Sequence, residues 1–253
     1  MASRVQKAFR ITGYILLVLL VAAVAGCMAL DRPLPEGVEG AKAEALTDKV
    51  LTFVNADAWA ETNVVTFSYF NKHHIVWDKT RQYAEVKWGN VRVLLNLQTR
   101  EGMVWKKDQP LSGEDAEGYL QSAWEYWCND AFWFNPLVKL RDAGTKRQYV
   151  ALEGPQDGLL VTYTSGGVTP GDSYLWYINP DGEPTHWRMW VNILPIGGIQ
   201  TSWEGWKKLH TGALVSQRHA NGLMSFGLAN VRSADSVEDL LGNDIFAPLE
   251  NQR

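Results

Sequence analysis

Apolar and polar side chains alternate along most of the chain after residue 62, and no other feature restricts the possible folds as much. In residues 62–70 apolar side chains occupy every second position, so they share one face of a predicted strand. Residues 83–88 and 91–97 repeat the pattern on either side of Gly89-Asn90, a pair that favours a two-residue hairpin turn. Short strands joined by tight turns predict an antiparallel sheet.

A helix is predicted before this pattern at residues 41–54, and a second interrupts it at residues 112–128, because apolar side chains recur there every three or four positions. A further short helix is predicted at 132–140. A sheet this long must curl, close or split to hide its edges, and amphipathic helices are the natural cover for its concave face. The predicted fold class is mainly β (α+β): a curled antiparallel sheet or incomplete β-barrel of about 10–12 strands with a helical lid over a cavity. The further strands are predicted at residues 74–77, 103–106, 148–152, 159–164, 173–178, 187–191, 199–206, 213–218 and 223–228.

The first 30 residues have a different character. Arg4, Lys7 and Arg10 precede an uncharged apolar run at residues 11–25, which is the pattern of a secretory signal. A run of residues 11–30 is also long enough to stay in the bilayer as an uncleaved helix. Both interpretations place the rest of the chain outside the cytoplasm and beside a membrane.

The end of this run is more specific, because Val24-Ala25-Gly26-Cys27 resembles the lipobox of bacterial lipoprotein signal peptides. The resemblance implies cleavage before Cys27 and a diacylglycerol on its thiol, and acyl chains of this kind form a stable membrane anchor. In Gram-negative lipoproteins an Asp after the cysteine favours the inner membrane. Since residue 28 is Met, the resemblance implies an outer-membrane protein that faces the periplasm.

Four parts of the chain are predicted from these boundaries. Residues 1–26 are a lipoprotein signal peptide, and residues 27–40 are the lipid anchor and a spacer rich in Pro and Gly. Residues 41–232 are the β domain, and residues 233–253 are an acidic, loop-like C-terminal tail.

Charge and cysteine content exclude several classes of function. The chain has 24 Lys and Arg against 28 Asp and Glu, and its first 26 residues contain bases but no acid, so the remainder is acidic and has no nucleic-acid footprint. The only cysteines are Cys27 and Cys128. If Cys27 carries lipid, no internal disulfide can form, and Cys128 is predicted to act as a small buried hydrophobe.

Tryptophan is unusually frequent, with 12 residues. Aromatic side chains crowd residues 124–134, and both faces of the strand at 187–191 carry Trp, although a one-sided sheet needs apolar residues on one face only. A Trp-rich solid core is one explanation, and an apolar ligand cavity is the other. For the cavity, the predicted lining residues are Trp88, Trp105, Trp124, Trp127, Phe132, Trp133, Trp176, Trp187, Trp190 and Trp203.

Other reactive residues give weaker signals. His73 and His74 point to opposite faces of a strand, and the remaining histidines lack zinc-type spacing. The Gly-rich loop at 165–172 lacks the Lys of a phosphate loop. Asp130 could act as a buried acid or base with a histidine. No catalytic residue, metal ligand or cofactor is predicted.

Residues 41–231 are similar to the Lol-type lipoprotein carrier and receptor superfamily. The similarity lies in the order of helices and strands, the lipobox, and the strand pair around Asp181-Gly182-Glu183-Pro184-Thr185-His186-Trp187. It implies an incomplete antiparallel barrel with a helical lid over an apolar cavity. Carriers of that superfamily move lipoproteins across the periplasm, and its receptor is itself an outer-membrane lipoprotein.

Three functional hypotheses follow. The first is a membrane-anchored extracytoplasmic lipoprotein that binds an acyl or lipid-like ligand in a Trp-lined cavity. The second is a glycan-binding or envelope scaffold lipoprotein whose exposed Trp stack on sugars or a partner. The third is an envelope hydrolase that uses Asp130 and a histidine.

Overall fold

The computed structural model describes residues 2–222 and 224–250; residue 223 of the predicted strand 223–228 and residues 251–253 of the predicted tail lie outside it. The helices are α1 Ala2–Leu30, α2 Ala41–Phe53, α3 Ala56–Ala60, α4 Glu114–Phe134, a 3₁₀ helix Pro136–Lys139, α5 Val237–Leu241 and α6 Ala247–Glu250. The strands are β1 Val64–Tyr69, β2 His73–Asp78, β3 Tyr83–Trp88, β4 Val91–Asn96, β5 Gly102–Lys106, β6 Gln109–Leu111, β7 Thr145–Val150, β8 Asp157–Tyr163, β9 Ser173–Ile178, β10 Pro184–Trp190, β11 Ile199–Ser202, β12 Glu204–Lys208, β13 Leu214–Ala220 and β14 Ser225–Ala234.

The strands form two antiparallel sheets. Nine strands pair in the order β12-β13-β14-β1-β2-β3-β4-β5-β6, and five pair in the order β11-β10-β9-β8-β7. The chain passes from one sheet to the other at Trp203, and there β13 contacts β11, since Ser202 Oγ accepts a bond from Ala220 N at 3.0 Å. The prediction of a curled antiparallel sheet that does not close, with a helical lid, is confirmed. The described residues contain fourteen strands instead of the predicted 10–12. Two details of the strands were missed: edge strand β6, and the break that makes residues 199–206 two strands.

Local irregularities supply the curvature. The β1–β14 pairing shifts register between Thr66 and Ser68, opposite Asn230, whose φ is +56°. A β-bulge of this kind increases the local twist and bends the strand. The Asn230 amide donates to Ser68 Oγ at 3.1 Å, so the bulge is held by a side chain of each strand.

Helix α4 is the lid. It begins after Gly113, which has a φ of +60°, and Glu114, Asp115 and Glu117 in its first turn suit the positive end of the helix dipole. Its buried side chains are Ala116, Ala123, Asp130, Ala131 and Phe134. Ala116, Ala123 and Phe134 pack on the concave side of the nine-stranded sheet, and Asp130 pairs with His73 of β2. The small alanine side chains allow the helix to lie close to the sheet. The helix ends at Asn135, because Pro136 cannot continue it.

The segment predicted as a loop-like tail instead continues β14 and forms α5 and α6. These two helices and the turn between them place Val237, Leu240, Phe246 and Leu249 on the convex face of the nine-stranded sheet, over Val64, Val76, Tyr83 and Leu94. A sheet with apolar side chains on both faces needs cover on both faces, and α4 covers one while α5 and α6 cover the other.

The predicted spacer also packs on the protein. The Trp190 indole donates to Arg32 O at 2.7 Å, and Asp31 Oδ1 accepts from Gly197 N at 2.7 Å. Further on, Val38 pairs with Tyr149 of β7 in a short antiparallel bridge. The spacer therefore follows the outer side of the five-stranded sheet. Helix α1 precedes it, and none of the helices in the described residues is both long and apolar enough to span a membrane.

Arg81 joins the β2–β3 turn to the C-terminal helices. Its guanidinium donates to Asp78 Oδ2 at 2.7 Å and to both carboxylate oxygens of Asp244 at 2.7 and 2.9 Å. The Arg81 side chain is about three-quarters buried, so these charge-assisted bonds contribute more to the free energy of unfolding than a surface ion pair does.

We expect Arg81→Ala to lower the free energy of unfolding by about 2 kcal/mol, because it leaves two partly buried carboxylates without their shared donor. The matched control is Arg141→Ala, which removes exposed bonds to Glu44 and Asp48 and should cost less than about 0.5 kcal/mol. Urea unfolding followed by Trp fluorescence measures both. Equal losses in the two variants would contradict the role given to Arg81.

Candidate functional site

A cavity of about 740 Å³ lies beside the C-terminal half of α4, between this helix and the sheets. This volume is within the usual range for small-molecule sites. Most of its wall is aromatic or aliphatic. Six large aromatic side chains line it together with Tyr163 and Tyr174: Trp59, Trp77, Trp124, Trp127, Phe132 and Trp133.

Helix α4 supplies one side of the cavity through a single stripe. Trp124, Trp127, Cys128 and Ala131 are spaced three and four residues apart, so they share a face of the helix. The Cys128 thiol is half-buried in this wall, and burial raises its pKa to about 11. At neutral pH the thiol is therefore protonated and contributes as an apolar group.

An adjoining part of the wall comes from α3 and β2. Trp77 of β2 meets Trp127 edge-on, with ring centroids 5.3 Å apart, and Trp59 of α3 lies 6.0 Å from Trp77. Sequence reasoning missed both residues. Trp59 lies on a five-residue helix with too few turns for a periodic signal, and Trp77 was seen only as part of a short apolar strand.

Of the ten residues predicted to line the cavity, the structure brings four to its wall: Trp124, Trp127, Phe132 and Trp133. Trp176, Trp187 and Trp203 lie instead in a solid cluster where the two sheets meet, and each is at most 2% exposed. Their rings are about as close as packed aromatic rings can be, with centroids 4.7 to 5.0 Å apart, which leaves no room for a ligand between them.

Three other predicted lining residues are placed elsewhere for local reasons. Trp88 packs between Tyr119 and Tyr126 under α4. Trp105 lies on the convex face, where the Arg92 guanidinium stacks on its ring. Trp190 is on the outer face of the five-stranded sheet, where it binds the spacer. Both faces of this sheet are covered, which explains the two-sided Trp pattern without a second cavity.

Two loops form the rim of the cavity at one end. The β8–β9 loop contributes residues 165–169, and the β10–β11 loop contributes residues 193 and 194. Asp172 joins them, because its carboxylate accepts from Thr169 Oγ1 at 2.6 Å and from Asn192 N at 2.9 Å. Val168 and Ile193 nevertheless remain exposed, so this rim is apolar on its outer side.

The same rim is bonded to the segment that follows α1. Gly197 of the β10–β11 loop donates to Asp31 and accepts from Arg32 N at 3.2 Å. The loop backbone passes so close to the Trp190 ring that only glycine fits at residue 197, because a Cβ there would lie 2.2 Å from the ring. Asp31 N in turn bonds to Cys27 O at 2.9 Å. The predicted lipidation site is therefore a few residues from the rim.

Asp130 and His73 do form a pair, with Asp130 Oδ2 and His73 Nδ1 2.7 Å apart. Asp130 is fully buried and also accepts from the Asn129 amide at 2.8 Å, while the His73 ring stacks on Tyr126 at 4.0 Å. Burial and the Asp130 charge raise the pKa of the neighbouring Tyr69 phenol. The pair does not line the cavity, and its geometry is that of a brace between α4 and β2.

The histidines do not converge on a metal. His74 pairs with Ser68 Oγ at 3.0 Å on the side of the strand opposite to His73. Within residues 2–222 and 224–250, no three His, Cys, Asp or Glu side chains are grouped in a way that could hold a metal ion.

Comparison with known proteins gives a likeness of fold only. No family model and no curated protein matches the chain. A DUF1329 family protein from Desulfovibrio piger is similar over 79% of this chain and 97% of its own, with 11% identity and a TM-score of 0.40. A putative outer membrane lipoprotein-sorting protein domain from Vibrio parahaemolyticus is similar over 82% and 100%, with 7% identity and a TM-score of 0.34. Likeness at this level carries no functional argument, so the function must rest on the residues of this chain.

His219 lies at the aromatic junction between the sheets and makes the stability of the folded protein depend on pH. Its ring lies 4.4 Å from Trp203 and 5.5 Å from Trp133, and its Nδ1 bonds to Ser202 O at 3.1 Å. Burial lowers its pKa from 6.5 to about 4. Between pH 6.5 and about 4 the unfolded chain therefore binds a proton that the folded protein does not.

We expect His219 to cost the protein stability as the pH falls from about 6.5 to about 4, by roughly 3 kcal/mol in total, and to add no further loss below that range. In His219→Phe this part of the slope should disappear. Urea unfolding of both proteins at pH 7.5, 5.5 and 4.5 makes the comparison. Parallel stability curves for the two proteins would show that His219 is not the titrating group.

Proposed function

We propose that this protein is a membrane-anchored extracytoplasmic lipoprotein that binds an acyl chain or similar apolar ligand in the cavity beside α4. Its anchor is the lipid on Cys27, and its localisation is the outer membrane, with the β domain facing the periplasm. No catalytic step is part of the proposal.

The observation that carries the proposal is the link between the cavity rim and the anchor segment. The β10–β11 loop supplies part of the rim, and its Gly197 is bonded to Asp31 and Arg32, four and five residues after Cys27. A lipid on Cys27 would hold this rim at the bilayer surface. Exposed Ile193 and Val168 would then face the acyl chains from which a ligand is taken.

The chemistry of the wall agrees with such a ligand. Aromatic and aliphatic side chains make up most of it, and each methylene that moves from water into such a wall contributes about 0.8 kcal/mol. Flexible Met189 and the aromatic rings suit a chain of variable shape.

The two rival hypotheses have less support. A glycan site needs exposed, coplanar Trp, and no Trp is among the exposed large apolar side chains of the described residues. A hydrolase needs Asp130 and a histidine open to one cleft, whereas Asp130 is fully enclosed.

Lipidation is tested by feeding cells alkyne-labelled palmitate. We expect the label in the wild-type chain and none in Cys27→Ser, because Cys27 is the only cysteine at the lipobox. Cys128→Ser is the matched control and should keep the label, since this thiol is in the cavity wall. Label that persists in Cys27→Ser would rule out lipidation at this residue.

Ligand binding is tested by filling the cavity. Val191→Trp places a large ring in a half-buried part of the wall, and we expect it to lower the lipid that co-purifies by at least about fivefold. Gln121→Trp, on the exposed side of α4, should retain the wild-type amount.

The measurement uses full-length protein that folds in the cell and is purified from membranes. A protease site in the spacer between Leu34 and Gly37 then releases the β domain, whose apolar clusters all lie within residues 43–249. Mass spectrometry counts the lipid that stays with the released part. A wild-type domain free of lipid would refute the proposed ligand class.

A further inference from the structure

Three hydrogen-bond donors in the cavity wall have no partner in the described part of the protein. They are Trp77 Nε1, Trp127 Nε1 and the side-chain nitrogen of Asn135. All three atoms are buried, and the whole Asn135 residue is only 3% exposed. Leaving such a group unpaired destabilises the folded protein, and native proteins do so rarely. Each of these atoms is closed to water in this structure, so an acceptor oxygen of a ligand reaches it only when the indole or amide side chain rotates towards the cavity.

The same part of the wall carries a cation without a carboxylate partner. The Arg100 guanidinium lies over the Trp124 ring, 3.7 Å from its centroid, and makes no ion pair with any described residue. The second cation of the wall, Lys139, is paired with Asp142. Cation–π stacking holds a guanidinium in place without neutralising its charge.

The acidic groups of the wall are already engaged. Asp142 is bound to Lys139, and Asp172 accepts two bonds within the rim loops. Asp172 belongs to the β8–β9 end, whereas Arg100 belongs to the β4–β5 turn. An anion is thus attracted to the Arg100 end and repelled at the Asp172 end. The charges of Arg100 and Lys139 also reach Cys128, whose thiol pKa burial raises and these two cations lower.

From these observations we propose that the ligand is an acyl chain with an anionic, oxygen-rich headgroup. The headgroup lies at the Arg100 end and accepts hydrogen bonds from Trp77 and Trp127. The chain extends along Phe132 and Tyr174 towards Val191. The carboxylate of a fatty acid and the phosphate of a lysophospholipid share this chemistry. The inference rests on the proposed function and specifies its ligand.

The test is photo-crosslinking with the full-length protein in nanodiscs of phosphatidylcholine. Three clickable diazirine probes share one acyl chain: a fatty acid, the corresponding fatty alcohol and a lysophosphatidic acid. Peptide mass spectrometry measures the labelling of residues 124–138. In the wild type we expect at least one anionic probe to label this segment about fivefold more than the alcohol does, since a charge-assisted bond at a partly exposed site contributes on the order of 1 kcal/mol.

Arg100→Gln should remove this preference and leave labelling by the alcohol unchanged, and Arg100→Lys should restore part of it. The matched control is Arg92→Gln. Arg92 also stacks on a Trp, but that residue, Trp105, is on the convex face, so the preference should stay at the wild-type value. Trp127→Phe keeps a ring and removes one donor, and it should lower labelling by the anionic probes. Unchanged thermal unfolding shows that a variant is folded.

The outcomes separate the two proposals. Equal labelling by all three probes, unaffected by Arg100→Gln, would overturn the anionic headgroup and leave the apolar cavity site standing. Labelling of the segment by none of the probes would overturn both. A preference for the phosphate probe alone, or for the carboxylate alone, supports the inference and identifies the source of the anion.

Discussion

The aromatic junction between the two sheets is the constraint on which the rest of the structure depends. The chain changes sheets at Trp203, and Trp176, Trp187 and Trp203 fill the corner together with the end of α4. Trp133 of α4 lies parallel to Trp203, with a plane angle of 2° and centroids 6.1 Å apart. Protein interiors are packed as densely as organic crystals, so rings of this size fix how close the helix can come to the corner. The space for a ligand lies beside the helix, next to this filled corner.

The sequence specified the fold better than it specified the site. Period-two alternation and turn pairs such as Gly89-Asn90 act within a few residues, and β3 begins and ends where the pattern predicts. The split of residues 199–206 was not visible, because both halves have strand composition and the break depends on which sheet each half joins. The C-terminal helices were missed for a related reason, since α5 and α6 have five and four residues and depend on packing against the convex face.

Amino-acid composition alone does not show which Trp residues line the cavity. Trp on both faces of the strand at 187–191 was compatible with a cavity and with a solid core, because a Trp that fills a corner and a Trp that lines a void have the same sequence signature. Helical spacing identified Trp124 and Trp127, because neighbours on one helix face are fixed by local geometry. Trp59, Trp77 and Arg100 come from three separate elements, and only the tertiary structure brings them to one wall.

The bridge between Val38 and Tyr149 has a consequence beyond the attachment of the spacer. Each of the two sheets has an edge strand away from the junction. In the nine-stranded sheet this is β6, which is short and carries Pro110, a residue that lacks an N–H to offer a neighbour. In the five-stranded sheet it is β7, which is partly occupied by the spacer. Removal of the residues up to Gly40 would therefore expose β7 and leave a surface for strand-to-strand self-association, so the spacer also protects this edge against polymerisation.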